Sequence, residues 1–264
     1  MQKKILGNSY VLLIMVLLYI PIIFLVAYSF NSGTIMSGWS GFSFIHYQQL
    51  FADTRLLKIL LDTFILAISS ATIAAFIGTI GALFLDSFHN KKNLNVFSSL
   101  NNVLLVSPDV TIGVSFLILF TILGFSLGFV SVLISHIAFS IPIVLLMVLP
   151  RLREMDNTLI IAARDLGANR GTILSQIVIP EIWPSIMAGF LLALTYSLDD
   201  FAVTFFVTGN GFSTLSVEIY SRARQGVSLE INALSALMFA VSLLLVLAYY
   251  LYTTYSDKKA RLTK

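Results

Sequence analysis

The sequence has no cysteine, few histidines and little charge, and each scarcity removes a class of chemistry. Without cysteine there can be no disulfide, no thiolate nucleophile and no Cys-ligated metal. The three histidines, His46, His89 and His136, are scattered without metal-ligand spacing, so each reads as a loop or packing residue. Charged residues make up only 11% of the 264, well below the share in an average water-soluble domain. No G-x-x-x-x-G-K-[ST] loop is present, so the chain itself is not expected to bind nucleotide. Paired-histidine motifs and a nucleophile elbow are missing too, which argues against a membrane-embedded enzyme. No internal repeat of the kind that builds secondary transporters is visible, and no Pro/Gly/Ser-rich linker marks off a second domain.

What is abundant is apolar. Hydrophobic residues account for 58% of the chain, with a mean hydropathy of +0.92. Stretches of roughly 20 apolar residues, enough to cross a hydrocarbon core of about 30 Å, occur at residues 9–30, 62–85, 97–123, 128–149, 182–207 and 233–255. The expectation is an all-α polytopic membrane protein with six transmembrane helices, in one domain spanning residues 1–264. The first stretch follows Lys3 and Lys4 but is too long for a signal peptide, and reads as a membrane anchor. With the N-terminus inside, only Arg55, Lys58, Arg222 and Arg224 of the sixteen Lys and Arg fall outside, so both termini are expected in the cytoplasm. The net charge of +3 is then a topology signal and calls for no nucleic-acid partner.

Two outer segments and one large inner one carry the remaining polar residues. In residues 31–61 the run LLKILL, with Leu56, Leu57, Leu60 and Leu61, predicts a short amphipathic helix on the membrane surface. In residues 208–232, Gly209, Asn210 and Gly211 predict a turn before the polar SVEIYSRARQG. The inner loop, about residues 150–183, contains a helix capped by Asp156 or Asn157 and closed by Gly167. Leu159, Ala162, Ala163 and Leu166 form its apolar face, with Arg164 and Asp165 off it, and a second helical run from Thr172 to Ile179 is expected to end at Pro180.

The stretch AARDLGANRGTILSQIVIP resembles the "EAA" signature of ABC importer permeases. Ala162, Ala163, Gly167, Ile177 and Pro180 match it at the family's spacing, while Ile161 stands in place of its Glu and Ile179 in place of its usual Leu. LYIPIIFLVAYSFNS, VSPDV, SLDDF, FVTG and LEINALS are similar, in the same order, to segments of the spermidine/putrescine permeases of that family. The resemblance implies a type I, MetI-like permease fold and ATP-driven import of polyamines from the periplasm by alternating access across the inner membrane. It implies a heterodimer with a second homologous permease, two copies of a cytoplasmic ATPase that bind ATP and Mg, and a periplasmic polyamine-binding protein. Leu159, Ile161, Ala162, Ala163, Asp165, Leu166 and Gly167 then belong to the ATPase-coupling loop.

Within that frame the carboxylates of the apolar stretches become candidates for the substrate path. An Asp at the centre of a membrane helix costs about 2.5 to 3.5 kcal/mol, so it faces a partner or a water-filled cavity. Counted along straight helices, Asp199 and Asp200 lie about 23 Å beyond Pro184, and Asp109 about 18 Å beyond Phe97. Acidic groups at comparable depth beside Tyr196 suit a flexible polycation through ion pairing and cation–π contact. Neighbours on a helix point about 100° apart, so Asp199 and Asp200 cannot both aim into one cavity. Asp200 shares its face with Tyr196, Ser197 and Thr204 and also fits a hydrogen-bond network, and Ser107, Pro108 and Asp109 also read as the start of a new helix. An ion-coupled transporter of organic cations, or an ABC permease for another small solute, would use intramembrane carboxylates equally well.

Overall fold

The computed structural model describes residues 2–34, 36, 38–88, 91–225 and 229–262; His89 lies outside the described residues. Their regular structure is helical, apart from one antiparallel bridge between Asn31 and Phe42. In chain order the helices are α1 (Gln2–Tyr28), α2 (Ile45–Ala52), α3 (Thr54–Asp86), α4 (Lys91–Val106), α5 (Asp109–Ile122), α6 (Phe129–Glu154), α7 (Asn157–Asp165), α8 (Arg170–Ile173), α9 (Ile179–Asp199), α10 (Ala202–Val207), α11 (Leu215–Gln225) and α12 (Leu229–Leu262). Among the described residues five runs are long and apolar enough to cross a membrane: Tyr10–Tyr28, Thr54–Asp86, Phe129–Glu154, Arg170–Asp199 and Leu229–Leu251. The pair α4 and α5, bent by 103° at Ser107–Pro108, would make a sixth. The fold is therefore all-α and polytopic, as its composition requires.

Four local expectations are corrected. Residues 97–123 are not one straight helix: Pro108 has no N–H to continue the ladder and holds extended backbone (φ −60°, ψ 134°), so α4 stops and α5 restarts at Asp109. The depth of Asp109 counted along a straight helix falls with it. Residues 182–207 are not continuous either, because α9 ends at Asp199 and α10 begins at Ala202. Conversely, Pro180 does not end a helix. Helical backbone runs from Arg170 to Asp199, and the π-helical turn Leu174–Val178 directly upstream takes up the proline's missing donor. LLKILL is the opening of α3, since Asp53 Oδ1 accepts from the backbone N–H of Arg55 (3.0 Å) and Leu56 (3.1 Å) and starts the helix there. The short helix of that segment lies earlier in the chain, as α2.

The chain packs as two units, Met1–Lys58 with Glu218–Lys264, and Ile59–Val217. In the first, α12 packs on α1 and α2. Glu218, almost fully buried, takes both ends of the Arg55 fork (3.1 and 2.8 Å) and Nε of Arg222 (2.8 Å), while Arg222 also reaches Asp53 and Glu230. The Leu56 N–H, followed by Arg222, holds the Asp53 carboxyl below its ordinary range.

In the second unit α6 and α9 form the most extensive helix pair. Val144 of α6 sits between two glycines: a Cβ at Gly78 of α3 would lie 2.8 Å from Val144 Cβ, and one at Gly189 of α9 would lie 3.1 Å from its Cα. Small residues let the backbones approach where water offers no hydrophobic drive. Gly113 of α5 does the same against α10, where a Cβ would meet Phe206 at 2.9 Å and Val203 Cα at 3.0 Å; it is a close-approach site, and the kink belongs to Pro108. Leu66, Ile112, Phe120, Val132, Phe139, Val203 and Val207 fill the core between these helices.

Candidate functional site

The break between α9 and α10 organises the polar groups inside the second unit. Ending α9 frees its last carbonyls, and starting α10 frees new N–H groups, each costly away from water. Asp200 turns the chain with extended backbone (ψ 120°) and fills the second gap. Its Oδ1 accepts from Val203 N–H at 3.3 Å, and its Oδ2 from Thr204 N–H at 2.8 Å and the Thr204 hydroxyl at 2.7 Å. The residue is only 7% exposed.

Behind it stands His136 of α6, fully buried. Its Nε2 lies 2.9 Å from Thr204 Oγ1 and 3.4 Å from Asp200 Oδ2, and its Nδ1 lies 2.7 Å from Ser197 Oγ. Ser197 in turn meets Ser70 of α3 at 3.0 Å. Thr204 has one hydroxyl hydrogen and donates it to Asp200, so toward His136 its oxygen can only accept. Nε2 therefore carries the proton that points at this pair. Reading the sequence alone left His136 as a packing residue. No local pattern in the sequence ties His136 to Asp200 and Thr204, because the contact depends on the break between α9 and α10.

Asp199 and Asp200 part company at the break: Asp200 is buried in this network, whereas Asp199 is exposed. On the exposed side Tyr196, 44% exposed, donates its hydroxyl to Asp109 Oδ1 at 3.1 Å. Asp109 opens α5, exposed, with Pro108 as its cap residue, and the Ser107 hydroxyl turns back to Val103 O (2.7 Å) and caps nothing. The shared level of Asp109 and Tyr196 thus comes from a direct contact across the bend. The ring of Phe139 stands edge-on to Tyr196 (5.4 Å between centroids) and against His136 (4.9 Å), joining the exposed group to the buried one.

The second cluster is on the inner loop. Asp156 accepts from Thr158 N–H (2.9 Å) and starts α7; the Thr158 hydroxyl, followed by that N–H, keeps the Asp156 carboxyl below its usual range. Gly167, with φ +82°, closes the helix, and N–H groups of Leu166, Gly167 and Ala168 return to Ala162, Arg164 and Ala163. Leu159, Ile161, Ala162 and Asp165 are exposed, Ala163 is half-buried, and Leu166 is 89% exposed.

Residues 74–262 match the family described as "Binding-protein-dependent transport system inner membrane component". The chain is 37% identical to the spermidine/putrescine transport system permease protein PotC of Haemophilus influenzae, over 96% of this chain and 98% of that one. Its fold matches a bacterial ABC transporter involved in import of the acidic polysaccharide alginate (TM-score 0.73, 16% identity, 97% of this chain and 96% of that one). It also matches the MetNI methionine ABC transporter in an inward-facing conformation (TM-score 0.60, 19% identity, 77% of this chain and 94% of that one). The chain belongs to the family of binding-protein-dependent transport system inner membrane components and is a permease subunit of an ABC importer, working with an ATPase and a periplasmic binding protein and carrying out no catalysis itself.

Proposed function

We propose that this permease carries polyamines, spermidine or putrescine, from the periplasm across the inner membrane. The observation that carries the reading is the hydrogen bond from Tyr196 to Asp109 on the exposed side, with Asp199, also exposed, three residues further along α9. A polyamine is a flexible chain of ammonium groups. Spaced carboxylates and a ring face replace part of its hydration as it leaves water, each cation–π contact contributing about 0.5 to 2 kcal/mol. The likeness to PotC supports the same cargo. Asp200 joins this path as its support, since its carboxylate is buried and taken up by the N–H groups of Val203 and Thr204, the Thr204 hydroxyl and His136.

In this reading the whole chain acts as one permease domain with both termini in the cytoplasm. It pairs with a second, homologous permease, and α7 with Gly167 sits in a groove of one of two ATPase copies that bind ATP and Mg. Ile161 in place of the family's Glu makes that contact apolar at its centre. The test is uptake of labelled spermidine into proteoliposomes holding this chain, its co-encoded permease and ATPase, and the binding protein. Strictly ATP-dependent uptake is the expected result. ATP hydrolysis with no movement of spermidine or putrescine would sink the cargo, and uptake driven by an ion gradient without the ATPase would sink the importer reading.

A further inference from the structure

His136 takes no part in the function proposed above, although its ring touches both the break and the aromatic group beside it. The bond at Nδ1 goes to Ser197, three residues before the break on α9. The bond at Nε2 goes to Thr204 on α10, with Asp200 Oδ2 behind it. One imidazole thus ties together the two helices that the chain itself leaves joined only by Asp200 and Phe201. Non-helical backbone at membrane depth persists only where the protein or a water-filled cavity satisfies it. Here the protein supplies the Asp200 carboxylate, and His136 supplies the donor that lets a carboxylate be buried there. The ring also packs on Phe139, which packs edge-on to Tyr196, and Asp199 is the last residue before the break.

We infer that His136 is the positioning residue of the cargo site: a clamp across the break between α9 and α10 that sets where Asp199 and Tyr196 stand. The identity of the cargo rests on the polyamine reading, while the clamp rests on the geometry of this chain. A clamp needs both of its ends. Glutamine at position 136 keeps an amide donor for Thr204 but loses the bond to Ser197, which then has only Ser70, and leucine loses both.

The chain has no cysteine, so Asp199→Cys gives it a single thiol, and the reaction of that thiol with a charged, membrane-impermeant reagent, read on this chain after the subunits are separated, reports the setting of that position without any cargo. The complete transporter is assembled with this substitution alone, with His136→Gln added, and with His136→Leu plus Asp200→Asn added, the last pair removing the buried carboxylate that leucine would strand. In parallel, His136→Gln and the His136→Leu, Asp200→Asn pair are measured with Asp199 intact for spermidine uptake and thermal melting. The clamp predicts a shift of about tenfold in labelling rate and a comparable rise in the half-saturating spermidine concentration, with a smaller change in maximal rate. It predicts the smaller shift for His136→Gln, including in a variant that melts as the parent does. Variants that assemble and keep the parent's labelling rate and half-saturation overturn the inference. If the parent transporter moves no polyamine, the cargo reading fails and the labelling rates alone decide the clamp.

Discussion

Asp199 and Asp200 are neighbours of one chemistry in two environments, and the difference sets what each substitution should do. Asp199 and Asp109 are exposed carboxylates, and Tyr196 stands over Asp109 at 3.1 Å. A hydrogen bond to a charged group contributes about 1.5 to 3 kcal/mol, and each ~1.4 kcal/mol is tenfold in affinity. Asp199→Asn or Asp109→Asn should therefore raise the half-saturating spermidine concentration about tenfold or more while leaving melting near the parent value. Tyr196→Phe keeps the ring and loses only the hydroxyl, so a change of a few-fold is expected. Initial uptake rates against spermidine concentration distinguish the three, and a pattern in which Tyr196→Phe exceeds both carboxylate variants contradicts the assignment. The double Asp was visible in the sequence; the separation of its members was not, because it depends on a helix break that an apolar run conceals. Phe201 and Ala202 carry no mark of it. At Asp109 the proline did mark the break, though not the 103° size of the bend.

Among the helices, close approach and capping matter more than propensity. The Gly78–Val144–Gly189 contact brings α3, α6 and α9 together, and a methyl at Gly78 has nowhere to go, with Val144 Cβ and Cγ1 both at 2.8 Å. Overpacking of this kind costs about 1 to 3 kcal/mol. Gly78→Ala should lower the melting temperature of the purified transporter, and adding Val144→Ala should recover part of the loss; no recovery would place the strain against Ile141 O, at 3.2 Å, instead. On α7 the weak point is its start. Asp156 accepts from Thr158, and a cap of this type is worth about 1 kcal/mol, a large share for nine residues. Asp156→Ala should reduce spermidine moved per ATP hydrolysed, and Asp156→Asn should retain most of it. Gly167→Pro should uncouple further, since φ +82° lies outside the range of proline. Here the sequence was fully readable: the cap, the closing glycine and the apolar positions all fall where local rules put them. Those rules fail one segment later, at Pro180, where the π-helical turn Leu174–Val178 absorbs a residue that should have ended the helix.

For the molecule as a whole the open question with a direct answer is its orientation. The bias of Lys and Arg, with only Arg55, Lys58, Arg222 and Arg224 on one side, predicts that both termini lie in the cytoplasm. That bias was legible without any structure because it reflects insertion, not packing. Termini on one side require an even number of crossings, and with the five long runs the bent pair α4 and α5, taken as one span, would supply the sixth. Absence of cysteine makes the check clean. Asn210 is exposed in the turn between the two positive-φ glycines 209 and 211, and Glu154 is exposed at the end of α6. In intact cells stripped of their outer membrane, Asn210→Cys should react with an impermeant thiol reagent and Glu154→Cys should not, and inverted vesicles should exchange the two results. The opposite pattern would reverse the orientation and put α7 on the side away from the ATPase, against the proposed contact. Labelling of both sites from one side would mean an odd number of crossings between residues 154 and 210 has been miscounted, and the run Arg170–Asp199 would then have to turn back within the membrane.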